Sequence, residues 1–407
     1  MQGETAPPAA DDTEAAWRFY MDTLEEVRRD VLSLDLSRDP AIRAQALYFL
    51  QMNQTTAFAK HLAPRPDYPS LNIHLEFMPF ELTTGQSNPD FLYRWAYLDG
   101  ARSYRMWGRL GTTRWTDIQV SSGHWGDETM DPLGNYTLEN FQAAPDGAYE
   151  IVFSAEPQPG NWIRIDPASR HNTVLIRETW CDWERERGVE MRIEALGLTG
   201  DEPIVYDEAE FNRRLRAAAR FVRYSADFSI RTTRRILDSA PVNSFPPPPK
   251  PDPDGPRVGG SNPQGNFLFM AYDIKPDEAL IIETEPPKAK YWGVSLGDVW
   301  FASIDYSYHQ SSLNDAQAVA DSDGKIRLVL AHTDPGVANW IDVVGCGFGI
   351  VLFRRYLVED PTIPDTRLVK LSELRAALPA DVATVTPAER RAALERRKRA
   401  SLARYGF

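Results

Sequence analysis

The stretch RMWGRLGTTRWTDIQVSSGH, residues 105–124, laid without a gap over KYWGVSLGDVWFASIDYSYH, residues 290–309, brings Trp107 onto Trp292, Gly108 onto Gly293, Trp115 onto Trp300 and His124 onto His309. Trp and His are rare residues, so this many coincidences at one offset point to an internal repeat. Working outward, TLENFQAAPDGAYEIVFSAEPQPGNWI resembles SLNDAQAVADSDGKIRLVLAHTDPGVANWI, which pairs Leu138 with Leu313, Asp146-Gly147 with Asp323-Gly324, and Asn161-Trp162 with Asn339-Trp340. Each copy closes on an apolar run carrying an arginine, Arg177 in VLIRETW and Arg354 in VLFRRY. The offset drifts by a few residues, as loop-length changes between two copies of one unit would make it do.

Within the repeat, Asp-Gly supplies the positive φ of a tight hairpin turn before an alternating strand. The Asn of Asn-Trp can hydrogen-bond local backbone, and burial of the indole is worth roughly 2–3 kcal/mol. Trp162 and Trp340 are therefore read as structural. Short runs such as LNIHLEF, RSYRMWGRL and YEIVFSAE in the first copy, and FLFMAYDI, ALIIETE, KYWGVSL and IRLVLAH in the second, read as strands between Gly, Asp, Asn and Pro. The expected fold is mainly β with helical additions (α+β): two related antiparallel β-sandwich or jelly-roll-like domains.

The expected boundaries are helices over 1–65, a first β domain over 66–200, a connecting helix over 201–240, a Pro-rich linker over 241–265, a second β domain over 266–360 and helices over 361–407. Trp17, Tyr20, Met21, Leu24 and Val27 form an amphipathic stripe in the first helix. Asp207 with Glu210 caps the connecting helix, whose stripe runs through Phe211, Leu215, Ala218, Phe221 and Val222. Thr386-Pro-Ala-Glu389 opens a basic terminal helix, expected to pack Leu394 and Leu402 on the body. PPPPKPDPDGP inside 241–265 can be neither helix nor central strand.

The second copy, from about Ile281 to Tyr356, carries the Asp323-Gly324 turn, Asn339-Trp340 and a final strand ending Arg354-Arg355-Tyr356. In these it resembles the bacterial family called domain of unknown function 1214. It departs in having Ile341-Asp342 where the family commonly has Leu-Pro, and in the stretch Gly345-Cys346-Gly347-Phe348-Gly349. The resemblance implies a β fold, often beside a partner β domain, and brings no reaction with it.

A net charge of −13 argues against nucleic acid or an anionic membrane as principal partner. The start MQGETAPPAADDTEAAW lacks the basic and apolar regions of an export signal, and no window is long and apolar enough to span a bilayer. Cys181 and Cys346 form no ligand or disulfide pattern, so the expected location is the cytoplasm. Phosphate-binding glycine loops, the nucleophile elbow and H-E-x-x-H are missing, and neither an organic cofactor nor a metal is expected.

Imidazole titrates near neutrality, which makes His309 and His124 the candidate acid–base groups. If D-Y-S-Y-H is a strand, Asp305, Ser307 and His309 share one face and Tyr306 and Tyr308 the other. Asp305 and Tyr308 are thus further catalytic candidates, with Trp115, Trp300, Tyr306, Trp125, Trp180 and Asp182 as substrate contacts. A structural role for the repeated histidines stands beside this reading. The expected function is a cofactor-independent lyase, isomerase or hydrolase acting on a small apolar or aromatic-ring compound in a cleft between the two β domains. The rivals are a carbohydrate-active or carbohydrate-binding protein and a non-catalytic assembly module. A homo-oligomer is left open.

Overall fold

The computed structural model describes residues 11–73, 85–201, 203, 207–247, 264–359 and 362–406. The strand expected beyond Ile73 in LNIHLEF, and the linker from Pro248 to Pro263, lie outside these residues.

Besides the two-residue strand Asn72–Ile73, the described residues of the first half form eight strands: β1 (Phe91–Leu98), β2 (Tyr104–Arg109), β3 (Trp115–Ser122), β4 (Asp131–Thr137), β5 (Ala148–Ser154), β6 (Trp162–Arg164), β7 (Asn172–Thr179) and β8 (Glu190–Ala195). The second half repeats them as β9 (Gly265–Asp273), β10 (Glu278–Thr284), β11 (Tyr291–Gly297), β12 (Ser312–Asn314), β13 (Ile326–Ala331), β14 (Trp340–Asp342), β15 (Phe348–Tyr356) and β16 (Asp365–Lys370). The sheet orders are β1-β7-β3-β4 with β6-β5-β2-β8, then β9-β15-β11-β12 with β14-β13-β10-β16, the short strand Asn72–Ile73 extending the first. Apart from Asn72–Ile73, every described strand therefore has a counterpart in the same place. One pair per half, β5 with β6 and β13 with β14, is parallel.

The repeat is real, but its register differs from the gapless alignment. Arg177 stands opposite Tyr93 and Asp117, and Arg354 opposite Phe267 and Gly293. Trp115 is thus the counterpart of Tyr291, while Trp107 in β2 and Trp292 in β11 lie on strands that do not correspond. Counted from the first residue of β3 and β11, His124 matches Trp300, not His309. Downstream, Leu313 matches Tyr136 rather than Leu138, but the Asp-Gly and Asn-Trp pairs hold. Asn161 exchanges hydrogen bonds with the backbone of Gln142 as Asn339 does with Val319, and the indoles of Trp162 and Trp340 donate to the carbonyls of Ser154 and Ala331.

Each sandwich buries the inward set of its alternating residues. In the first these include Ala96, Leu98, Ile118, Val120, Val174 and Ile176; in the second, Met270, Tyr272, Val294, Leu296, Val351 and Phe353. Helices α1 (Asp11–Ser33), α2 (Pro40–Ala57) and α3 (Glu208–Ser239) form a third core around Val27, Phe49, Phe221, Val299 and Trp300. Asp207 and Thr386 cap as expected. Trp17, Met21 and Phe211, read as parts of buried stripes, are exposed. The terminal helix α4 (Pro387–Arg404) docks through its basic side. Arg390, Ala400, Ser401 and Arg404 are its buried residues, Leu394 and Leu402 only half-buried, and the Arg404 guanidinium lies over Trp183 at 3.8 Å. Long arginine stems cover apolar surface while their heads find carbonyls, here Pro89 for Arg404 and Val337 for Arg390. Among the described residues no helix is long and apolar enough to cross a membrane.

The halves meet through the outer faces of equivalent sheets. Phe91 and Trp115 pack on Tyr291 and Tyr356 with ring centroids 5.4–6.0 Å apart. The buried Asp90 carboxylate accepts from Tyr291 at 2.6 Å, Asn314 at 2.7 Å and Trp183 at 2.9 Å, tying the first half to the second.

Candidate functional site

Alternation that sends Ala96, Ile118 and Ile176 inward sends Tyr93, Trp95 and Tyr97 of β1, Thr173, Arg177 and Thr179 of β7, and Trp115, Asp117, Gln119 and Ser121 of β3 to the opposite face. On an exposed antiparallel sheet such a set would be solvated. Here it is buried: Arg177 is 5 % exposed, and Asp117 and Thr179 are fully covered. Tyr291 and Tyr356 approach it at one end, and the end of α2 with Phe221 of α3 at the other. Among the described residues, Trp115 Nε1, Thr173 Oγ1, Thr179 Oγ1 and Tyr97 Oη make no hydrogen bond. Buried polar groups are nearly always satisfied, so this face is built unlike a core.

The helical end carries a basic cluster. After α2 the chain continues as one π turn, residues 58–62, which buries the consecutive residues Lys60 and His61. Such turns often mark functional places. The Lys60 amine lies 3.2 Å from His124 Nε2 and 3.5 Å from the centre of the Trp95 ring, with no carboxylate in ion-pair reach among the described residues. Burial first, and then the nearby Arg177 charge, hold its pKa well below the usual lysine range. Burial, then the Lys60 charge, does the same to His124.

His61, Asp127 and His171 adjoin this cluster. Gly123, at φ +82° just past β3, and Gly126, at φ +97°, let the loop turn tightly: a Cβ on Gly123 would meet the Thr129 carbonyl, and one on Gly126 the Ala217 carbonyl of α3. The loop closes on itself, Asp127 accepting from the His124 backbone N–H at 2.9 Å. His171 Nδ1 lies 2.5 Å from Asp127 Oδ2 and His61 Nδ1 3.9 Å from Oδ1. The remaining nitrogen of each ring faces a backbone carbonyl, His61 Nε2 that of Trp125 at 2.8 Å and His171 Nε2 that of Lys60 at 3.1 Å. Burial pushes His61 down to about 3. Burial works to raise Asp127, but the hydrogen bond and charge of His171 prevail and lower it.

Of the residues singled out in the sequence, His124 and Trp115 lie at opposite ends of this face, and Trp125 packs on Phe221 and Tyr224 of α3. The structure does not bring His309 to them. D-Y-S-Y-H is a turn, not a strand, because the Asp305 carboxylate accepts from the N–H groups of Ser307 and Tyr308. His309 is half-exposed beside Asp342 at 3.0 Å and Asp305 at 3.9 Å, and Tyr308 is exposed. Tyr306 is buried against Trp183 and bonds Tyr405. Trp300 belongs to the helical core, stacked on Phe49 with its indole N–H on the Ile42 carbonyl. Trp180 lines a surface groove against α4, and Asp182 caps the turn to Arg185. Sequence reasoning missed Lys60, His61, Asp127 and His171. The available signals were Lys-His beside a Pro-rich helix end and the run Gly123-His-Trp-Gly-Asp127.

Residues 274–359 match the family described as "Protein of unknown function (DUF1214)". The chain is similar to an uncharacterised protein of Burkholderia cenocepacia whose crystal structure is known, with 29% identity, a TM-score of 0.78 and coverage of 89% of this chain and 98% of that one. A protein of Vibrio parahaemolyticus aligns at 12% identity and a TM-score of 0.43 over 79% of this chain and 98% of its own. No curated protein matches the chain.

Proposed function

We propose that this chain is an enzyme needing no organic cofactor, which acts on a small compound with an apolar or aromatic body held against the outer face of the first sandwich, between the two halves. One observation carries the reading: a sheet face that is buried yet polar, with an indole N–H and three hydroxyls lacking partners among the described residues. Ligand sites combine aromatic walls with a few convergent polar groups, and Tyr93, Trp95, Tyr97 and Trp115 with Arg177 and Lys60 follow that pattern. The two basic side chains suit a substrate carrying a carboxylate or another electron-rich oxygen. This composition favours the apolar-substrate reading over a sugar platform, which would present more carboxylate and amide fingers. Free thiols at Cys181 and Cys346 suit the cytoplasm.

The test is a thermal-shift screen of aromatic and alicyclic acids, terpenoids, steroids, phenolics and sugars, with each hit then assayed for conversion by mass spectrometry. A ligand at a hundredfold excess over its Kd stabilises by about 2.7 kcal/mol. Stabilisation by one apolar class, weakened at least tenfold in Arg177→Gln and Lys60→Met, is expected. Stabilisation by sugars alone, or affinity unchanged in both variants, overturns the chamber. Binding without conversion of any hit overturns the enzyme.

A further inference from the structure

His61, Asp127 and His171 form the one group among the described residues in which three ligand-type side chains bring donor atoms within 4.8 Å of one another. They come from three separate elements: the π turn after α2, the loop after β3 and the residue preceding β7. Nothing local in the chain requires them to meet.

We infer that these three side chains bind one first-row divalent transition-metal ion, through His61 Nδ1, His171 Nδ1 and the Asp127 carboxylate. The orientation of the rings carries the inference. A ligating imidazole usually donates its other N–H to a carbonyl or carboxylate, which fixes ring and tautomer. Both rings are held in this way, His61 Nε2 on the Trp125 carbonyl and His171 Nε2 on the Lys60 carbonyl, so both Nδ1 atoms turn to Asp127. Asp127 Oδ1 is buried and has no hydrogen-bond partner among the described residues, which leaves an acceptor aimed at the same point. Metal–nitrogen and metal–oxygen bonds of about 2.1 Å on a tetrahedron set ligand atoms about 3.4 Å apart. The contacts of Asp127 to His61 at 3.9 Å and to His171 at 2.5 Å bracket that separation, so small side-chain rotations suffice.

The donor set selects the ion. Two imidazoles and one carboxylate suit zinc, iron(II) or cobalt(II), whereas calcium and magnesium take oxygen. Three protein ligands leave a position open. The access side is a small pocket lined by Pro64, Pro66, Tyr97, Arg170, Arg213 and Arg214 together with the two histidines. Arg213 lies 3.6 Å from Asp127 Oδ1 and would compete with an ion for it; Arg213 and Arg214 both hydrogen-bond Glu210 at 2.8–2.9 Å and Arg170 lies 3.7 Å from it, so this one carboxylate turns the guanidinium groups aside but neutralises only part of their charge. The competing account makes Asp127 only a clamp between His171 and Arg213. The inference does not depend on the small-molecule chamber.

The experiment uses the full chain, stripped with a chelator and titrated with Zn²⁺ by calorimetry and with Co²⁺ by visible absorption. One equivalent per chain is expected, lost or weakened at least tenfold in Asp127→Asn and His171→Gln. His309→Ala should keep full stoichiometry, since it removes only the half-exposed imidazole beside Asp342. Cu²⁺ bound to the wild-type chain should show coupling to two imidazole nitrogens by electron paramagnetic resonance, a readout that survives if the variants fail to fold. No saturable binding, binding abolished by His309→Ala instead, or coupling to fewer than two imidazoles overturns the site.

Discussion

The outer faces of the two equivalent sheets share a backbone and differ in content. Where the first has Asp117, Gln119 and Ser121 on its third strand, the second has Gly293, Ser295 and Gly297; where the first has Tyr93, Trp95 and Tyr97, the second has Phe267, Phe269 and Ala271. The repeated arginines show the divergence most directly. Arg177 bonds Gln119 and Arg354 bonds the corresponding Ser295, but Arg354 also reaches the Gln86 carbonyl, and the Gln86 side chain sits over Gly297. Ile236, Phe228 and Phe301 cover the rest of the second face. The second face is packed by its own chain, while on the first the buried Trp115 indole N–H and the Thr173, Thr179 and Tyr97 hydroxyls have no hydrogen-bond partner among the described residues.

Making the second face resemble the first is the harshest way to break this comparison. Gly293→Asp places a Cβ 2.2 Å from the Tyr291 hydroxyl and a carboxylate beside buried Asp90. Arg354 stands across the ladder but is already engaged by Ser295 and the Gln86 carbonyl, so denaturant unfolding should register a loss of about 3–5 kcal/mol for a buried carboxylate without a hydrogen-bonded partner; a loss under 1 kcal/mol would mean that the second face has room for a site.

The turns after β3 and β11 differ as well, and pH reads the difference. Burial raises Asp298 to about 6 against the hydrogen bonds it accepts from the N–H groups of Ala302 and Trp300. The folded state therefore binds its proton more tightly than the unfolded chain, so this contribution is full below pH 3.8 and is lost as pH rises through about 6. At roughly 1.4 kcal/mol per unit, Asp298→Asn should gain on the order of 2–3 kcal/mol relative to the wild type between pH 4 and 7. Parallel stability curves for the two proteins would remove the effect.

The shared Asn-Trp clip sharpens the comparison from the other side. Asn339 is buried and Asn161 more open, so Asn339→Ala should cost about 1–3 kcal/mol and Asn161→Ala about 1 kcal/mol or less in thermal unfolding. Equal costs would show that exposure does not separate the two clips. The smallest effect is expected for His309→Ala: about 1 kcal/mol or less for a half-exposed ion pair, with ligand binding at the first sheet face unchanged. A hundredfold loss of activity in that variant would return the acid–base role to the second half.

The strand runs, the Asp-Gly turns, the Asn-Trp clips, the Asp207 cap and the Thr386 capping box were legible in the sequence because each is a local pattern whose energetics are settled within a few residues. They determined a mainly β chain in two similar halves. The register between the halves was not legible, since Trp-Gly occurs on β2 and on β11, which do not correspond, and an alignment rewards identity wherever it falls. The site residues were hidden for a different reason. Lys60, Asp127 and His171 are ordinary residues in sequence, and only the packing of α2 and α3 against the first sandwich removes water from them and brings them together. Whether a polar residue is a solvated surface group or part of a site depends on what covers its sheet face, and the tertiary structure alone decided that.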